Sequence, residues 1–324
     1  MHPLARALLS TWEWRLEILV VLVPLGIMYT LGWRRLRQQS SYRKLATWPR
    51  LAAYLGGLLM LAISLLSPID RLGSQLFFMH MLQHMISIMF AAPLLWLGEP
   101  FPIMLWAMPV GLRRWVAGLF ARRSPFRRAF AAATRPGITW LIFITVYLGW
   151  HDANAYNAAL YHRWVHDVQH ITFFLAAMLY WWPVVGAAPH IHGRFPGWAR
   201  MAYLLATVPP NMLVGLSIAF ASHVIYTYYL SVPRIWGFTA LQDQMISGAI
   251  MWIPGSMMFI MVALLILALL FREKDQPLPG APADWDSDEA MIAPGLEHRV
   301  VQNRWRKAQR ERAARQSDIP QASS

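Results

Sequence analysis

The chain has 324 residues, 57% of them apolar and only 14% charged, a balance that excludes an ordinary water-soluble domain and points to a lipid bilayer as solvent. It contains no cysteine, which excludes disulfides, thiolate metal sites and iron–sulfur clusters, so any metal must be held by other ligands. The formal net charge of +13 does not imply a nucleic-acid partner, because the arginines lie between apolar segments.

Apolar stretches of about 20 residues, enough to cross roughly 30 Å of hydrocarbon, recur along the chain. They predict spans at about 16–33, 48–67, 75–97, 137–151, 164–186, 198–220 and 241–271, an all-α polytopic membrane bundle of about seven helices occupying residues 1–272. The first span is followed by Arg34-Arg35-Leu36-Arg37 and by no small-residue cleavage site, so it reads as an uncleaved anchor. Segment 98–110, opening Gly98-Glu99-Pro100-Phe101-Pro102, is too short and proline-rich to cross and reads as interfacial. The fourth span is short at its polar end. Pro209-Pro210 in the sixth and Pro254-Gly255 in the seventh predict kinks that free backbone carbonyls. No internal repeat is evident. Residues 273–324 form a polar tail, acidic at Asp284–Glu289 and basic over 299–315, which reads as a disordered cytoplasmic appendage. Of the 29 basic residues, 24 lie in the loops after spans one, three and five and in the tail, leaving Arg6, Arg15, Arg71, Arg163 and Arg234 on the other side. The insertion machinery reads that asymmetry, so the N-terminus is expected outside and the C-terminus inside, in a bacterial plasma (inner) membrane.

Placed by depth, the histidines gather. His80 and His84 fall in the outer part of span three, His151 at the outer end of span four, and His166 and His170 in the outer part of span five. The i, i+4 spacing within His80–His84 and within His166–His170 stacks two imidazoles on one helix face, about 6 Å apart, suitable for one ion. His162 continues the second face one turn outward, and Asp152, Asp243 and Gln244 lie at the same level. A lone histidine near a helix end is ordinarily interfacial or bonded to a carbonyl, and His2, His190, His192, His223 and His298 take that reading. Two pairs at one depth argue instead for a metal or haem site, since intramembrane polar groups need partners or a cavity. Imidazole suits copper, zinc, iron and nickel, while thioethers favour Cu(I); Met79, Met81 and Met85 surround the first pair, and Met245 and Met251 lie on span seven. A zinc protease would carry Glu directly after the first His, where Met81 and Asp167 stand, so that chemistry is disfavoured. Asp167 is placed to orient an imidazole or to pair with Arg163.

These residues carry a family resemblance. Ser67-Pro68-Ile69-Asp70, His80-Met81-Leu82-Gln83-His84, Leu97-Gly98-Glu99-Pro100, Tyr156-Asn157-Ala158-Ala159-Leu160, His166 with His170, Trp181-Trp182-Pro183, and Asp243-Gln244 with Met251-Trp252-Ile253-Pro254-Gly255 make the chain resemble the CtaG-type polytopic cytochrome c oxidase assembly factors. The single-span, cysteine-bearing copper chaperone that shares the name does not fit a chain without cysteine. The resemblance implies a part in supplying copper to a caa-type haem–copper oxidase, with oxidase subunits as partners and His80, His84, His166, His170 and Asp243 as the polar set. In that reading the four histidines are ligands, Asp243 and Asp167 tune or orient them, His151, His162 and Met81 are further candidates, and no enzymatic turnover is required. A haem-binding redox protein, with axial histidines from spans three and five, stays open. A transporter ranks last, since internal symmetry is missing.

Overall fold

The computed structural model describes residues 12, 14–39, 43–121, 123–193 and 195–274, and all regular structure among them is helical. The tail from residue 275 lies outside the described residues, as do His2 and His298. A first compact unit runs to Leu267; the described part of the second, from Ala268, is helix as far as Lys274.

In chain order the helices are α1 (Leu16–Arg37), α2 (Trp48–Leu66), the short α3 (Pro68–Gly73) and α4 (Phe77–Leu97). Three short helices follow, α5 (Pro100–Ala107), α6 (Val110–Leu119) and α7 (Pro125–Ala133). Then come α8 (Pro136–Trp150), α9 (Ala153–Tyr161), α10 (Arg163–Val185), α11 (Gly197–Ala219), the single turn α12 (Tyr228–Ser231) and α13 (Ala240–Arg272). Six of them, α1, α2, α4, α10, α11 and α13, are long and apolar enough to cross a membrane. A seventh, broken span arises if α7 and α8, bent by 56°, count as one. Six of the seven predicted spans thus appear in order, and the fourth appears as the 15-residue α8, which reaches a span's length only together with α7. The segment after α4 is the eight-residue α5, which packs against α1. A Cβ on Gly32 of α1 would overlap the Ile103 carbonyl of α5, so only glycine permits that approach.

Prolines shape the spans as their missing N–H dictates. In α11 the helix breaks at Ala206-Thr207, and Pro209-Pro210 open its second segment, where a first-turn N–H has no intrahelical partner to lose. Pro254 sits inside a π-helical turn, Met251–Gly255, and a second π turn, Ile86–Ala91, precedes Pro93 in α4. Wide turns leave carbonyls to be bonded from elsewhere. Asn211 donates through Nδ2 to the Met251 carbonyl at 2.9 Å, and Trp181 donates through Nε1 to the Ile88 carbonyl at 2.8 Å. The larger apolar core lies among α4, α8, α10, α11 and α13, and a smaller one among α1, α2, α4 and α5.

Candidate metal centre

The first three turns of α4 and α10 carry the histidines, and the fold fixes both. Asp243, fully buried at the start of α13, accepts from the Phe77 and Phe78 backbone N–H groups at 2.9 and 3.0 Å and pairs with the Arg234 guanidinium at 2.8 Å. A carboxylate on the exposed N–H groups of a helix N-terminus is a favourable cap, here supplied by another helix. Gln83 anchors the next turn, donating through Nε2 to the Ser64 carbonyl at 3.0 Å and to Asp70 at 2.5 Å. On α10, Asp167 pairs with Arg15 of the α1 N-cap at 2.7 Å, and Arg163 reaches Glu17 at 3.2 Å. The pairing of Asp167 with Arg163 considered from the sequence therefore gives way to one between elements, because α1 brings a nearer guanidinium.

The four imidazoles converge. His80 and His84 bring their Nε2 atoms to 2.6 Å, and His166 and His170 theirs to 3.2 Å. Across the two helices the rings of His84 and His170 stack at 4.7 Å, with His80 5.2 Å from His166 and 5.7 Å from His170. His80, His84 and His170 each offer a nitrogen within 4.8 Å of the others, and Asp70, His166 and His170 form a second such group that shares His170. An ion held at about 2.0 Å by imidazole nitrogens in a tetrahedral arrangement wants them about 3.3 Å apart. The 3.2 Å pair meets that; the 2.6 Å pair needs to open by some tenths of an ångström. His80 Nδ1 and both amide atoms of Gln169, between His166 and His170 in sequence, are buried without a hydrogen-bond partner. The orphaned His80 Nδ1 within the converging imidazoles fits a site built to take a charged guest. Tyr156 of α9 closes one side, 5.2 Å from His80, with Tyr226 and Tyr229 packed beside it.

The other residues singled out from the sequence divide. His151, at the C-terminal cap of α8, joins neither histidine group: its Nδ1 lies 2.6 Å from the Tyr147 carbonyl, and its Nε2 is buried and unpartnered. Met81 is buried and shares a cavity wall with His84 and His151. His162 is exposed at the junction of α9 and α10 and joins neither histidine group. Asp152 caps α9 by accepting from Asn154 and Ala155. Gln244 spends its amide on the backbone at Ile218, His223 and Ile225. Sequence reasoning missed Asp70 as a candidate ligand, although Ser67-Pro68-Ile69-Asp70 marks the place: Ser67 caps α3, and Asp70 follows in its first turn.

A family described as cytochrome c oxidase caa3 assembly factor matches residues 27–273, which includes every residue of both histidine groups. The chain is 28% identical over 272 residues to an uncharacterised protein of Mycobacterium leprae, covering 80% of this chain and 40% of that one. It is 26% identical over 298 residues to uncharacterised proteins of Mycobacterium bovis and Mycobacterium tuberculosis, covering 89% of this chain and 43% of each. It thus spans about two fifths of the length of these relatives. No solved structure matches.

Proposed function

The chain belongs to the cytochrome c oxidase caa3 assembly factor family, and from that premise we propose that it binds copper at the histidine-bearing end of its bundle and hands it to the oxidase during assembly. The observation that carries this reading is the convergence of His80, His84, His166 and His170, two helices each giving an i, i+4 pair to one point. Neutral imidazoles, with Asp70 at the edge, suit a borderline cation such as copper. Ring centroids 4.4–5.7 Å apart leave no slot for a porphyrin, and the cavity that His84 lines, about 50 Å³, is far too small for one, which favours an ion over haem. The histidine level faces outward by the arginine count, in the plasma membrane of a bacterium, so the oxidase copper centre is approached from the outer side. Copper here is cargo, held and released without turnover, and Asp243 and Asp167 act by holding α4 and α10 in register.

Metal analysis and an absorption spectrum of the detergent-purified protein, beside a variant with His80, His84, His166 and His170 all changed to Ala, test this. Copper in the parent, lower by about one equivalent in the folded variant and without a Soret band, is the expected result. A Soret band moves the reading to haem, and equal copper in both proteins overturns the assignment of the histidines.

A further inference from the structure

We propose a second, cuprous site in the bundle, formed by His151 and the methionines that line the small cavity behind His84, from which Cu(I) passes to the histidine cluster. This rests on the copper reading for the ion's destination. The cavity, about 50 Å³, is lined by Met81, Met85 and Met89 of α4, Met251 of α13, His84 and His151. Four methionines on the wall of one small space supply a soft donor set, and soft thioether and imidazole ligands select Cu(I).

His151 is set up as a ligand by its own hydrogen bond. Its Nδ1 lies 2.6 Å from the Tyr147 carbonyl, an acceptor, so Nδ1 carries the proton and donates it. In the neutral ring Nε2 then holds a lone pair, and that atom is buried with no hydrogen-bond partner. A histidine that gives its other N–H to a backbone carbonyl is the arrangement that fixes tautomer and ring direction for metal binding.

A water is the competing guest. It has room, but a buried water takes two to four polar partners. Asn211, the one side-chain amide on the cavity wall, is already committed: it accepts from Tyr147 at 2.9 Å and donates to the Met251 carbonyl and to Ser256, each at 2.9 Å. That leaves a water at most the two imidazoles and the Tyr147 hydroxyl oxygen, close to the minimum it needs, whereas a soft cation also gains the methionines of the wall. Among the described residues no carboxylate lines the cavity, so a dication would be uncompensated there, whereas a monovalent soft cation is stabilised by the sulfurs. The path to the cluster is short. His84 belongs to both places, and the Phe173 ring lies 4.8 Å from His84 and 6.0 Å from His151. The transfer changes no oxidation state; ligands exchange one at a time around Cu(I).

The test is anaerobic titration of the full chain in lipid nanodiscs with Cu(I) against a chromophoric cuprous chelator, with X-ray absorption at the copper edge on the loaded protein. We expect a copper–sulfur shell in the parent. It should vanish, with about one equivalent of Cu(I) capacity, in a variant carrying Met81→Leu, Met85→Leu, Met89→Leu and Met251→Leu, replacements that nearly conserve volume. His151→Phe should lose the same equivalent. His80→Ala with His166→Ala should do the reverse, keeping the sulfur shell and losing the nitrogen-ligated ion, so failure of the cluster and failure of this site read out separately. A nitrogen-only shell in the saturated parent overturns the proposal, and that measurement stands even if the fourfold methionine variant does not fold. Full Cu(I) capacity and unchanged affinity in that variant overturn it equally.

Discussion

A buried carboxylate is tolerated only when its charge is met, and Asp243 meets it three times, from two backbone N–H groups of α4 and from Arg234. Changing Asp243 to Ala removes all three partners at once and leaves the Phe77 N–H, which is buried, with nothing to bond. The expected cost is about 2–4 kcal/mol, discounted for the partial exposure of Arg234, read as a lower melting temperature in detergent with weakened copper binding. A variant as stable as the parent would refute the capping role. Gln169 is the opposite case, fully buried with neither amide atom bonded. Gln169→Leu is expected to raise the stability of the copper-free protein by about 1 kcal/mol, since it removes an unmatched polar group at similar volume. If thermal denaturation shows a loss instead, the amide has a partner that matters. These two residues also mark what sequence could say at this scale. The histidine pairs are legible because i, i+4 is a local relation. The partners of Asp243, 166 and 165 positions away, and the nearness of Asp70 to His166 and His170, depend on how helices meet, which no spacing rule carries.

Between elements, close approach decides which glycines matter. A Cβ at Gly248 of α13 would overlap the Ala219 N atom and crowd the Gly215 carbonyl of α11, whereas one at Gly149 of α8 meets nothing within 4 Å. Backbone cannot yield as a flexible side chain does, so Gly248→Ala is expected to cost about 1–3 kcal/mol by overpacking and to spread α11 from α13. Gly149→Ala, in an open helical position, should be neutral or stabilising by up to about 1 kcal/mol. Comparing the two variants for folded yield and melting temperature checks the contact, and equal behaviour would show that the helices are not so close. The spans themselves were readable because about 20 apolar residues leave few alternatives to a crossing helix. Their internal turns were less so. Pro254 does end regular α-helix, as its missing N–H requires, but as a π turn whose Met251 carbonyl is bonded by Asn211 of another helix. At Pro209-Pro210 the break falls just before the prolines, since they are tolerated in a first turn.

For the whole molecule, the question that ties fold to function is which way the bundle faces. Alternating crossings put the starts of α4, α10 and α13 and the end of α8 at one end, and the described arginines cluster toward the other: Arg34, Arg35 and Arg37 at the end of α1, Arg113 and Arg114 on α6, Arg127 and Arg128 on α7. Exposed Trp115 of α6 and Phe126 of α7 accompany those charges, the composition of helices that lie on an anionic leaflet with their cations at the headgroups. Each such cation contributes on the order of 1 kcal/mol at an anionic surface, so the arginine end is expected inside. Reporter fusions test this directly. A periplasmic phosphatase joined after Asn154 should be active and one joined after Ser124 silent, with a cytoplasmic fluorescent reporter giving the converse. The reversed pattern would place the histidines at the cytoplasmic face, and copper would then have to reach the oxidase from the cell interior, which the hand-over on the outer side does not allow.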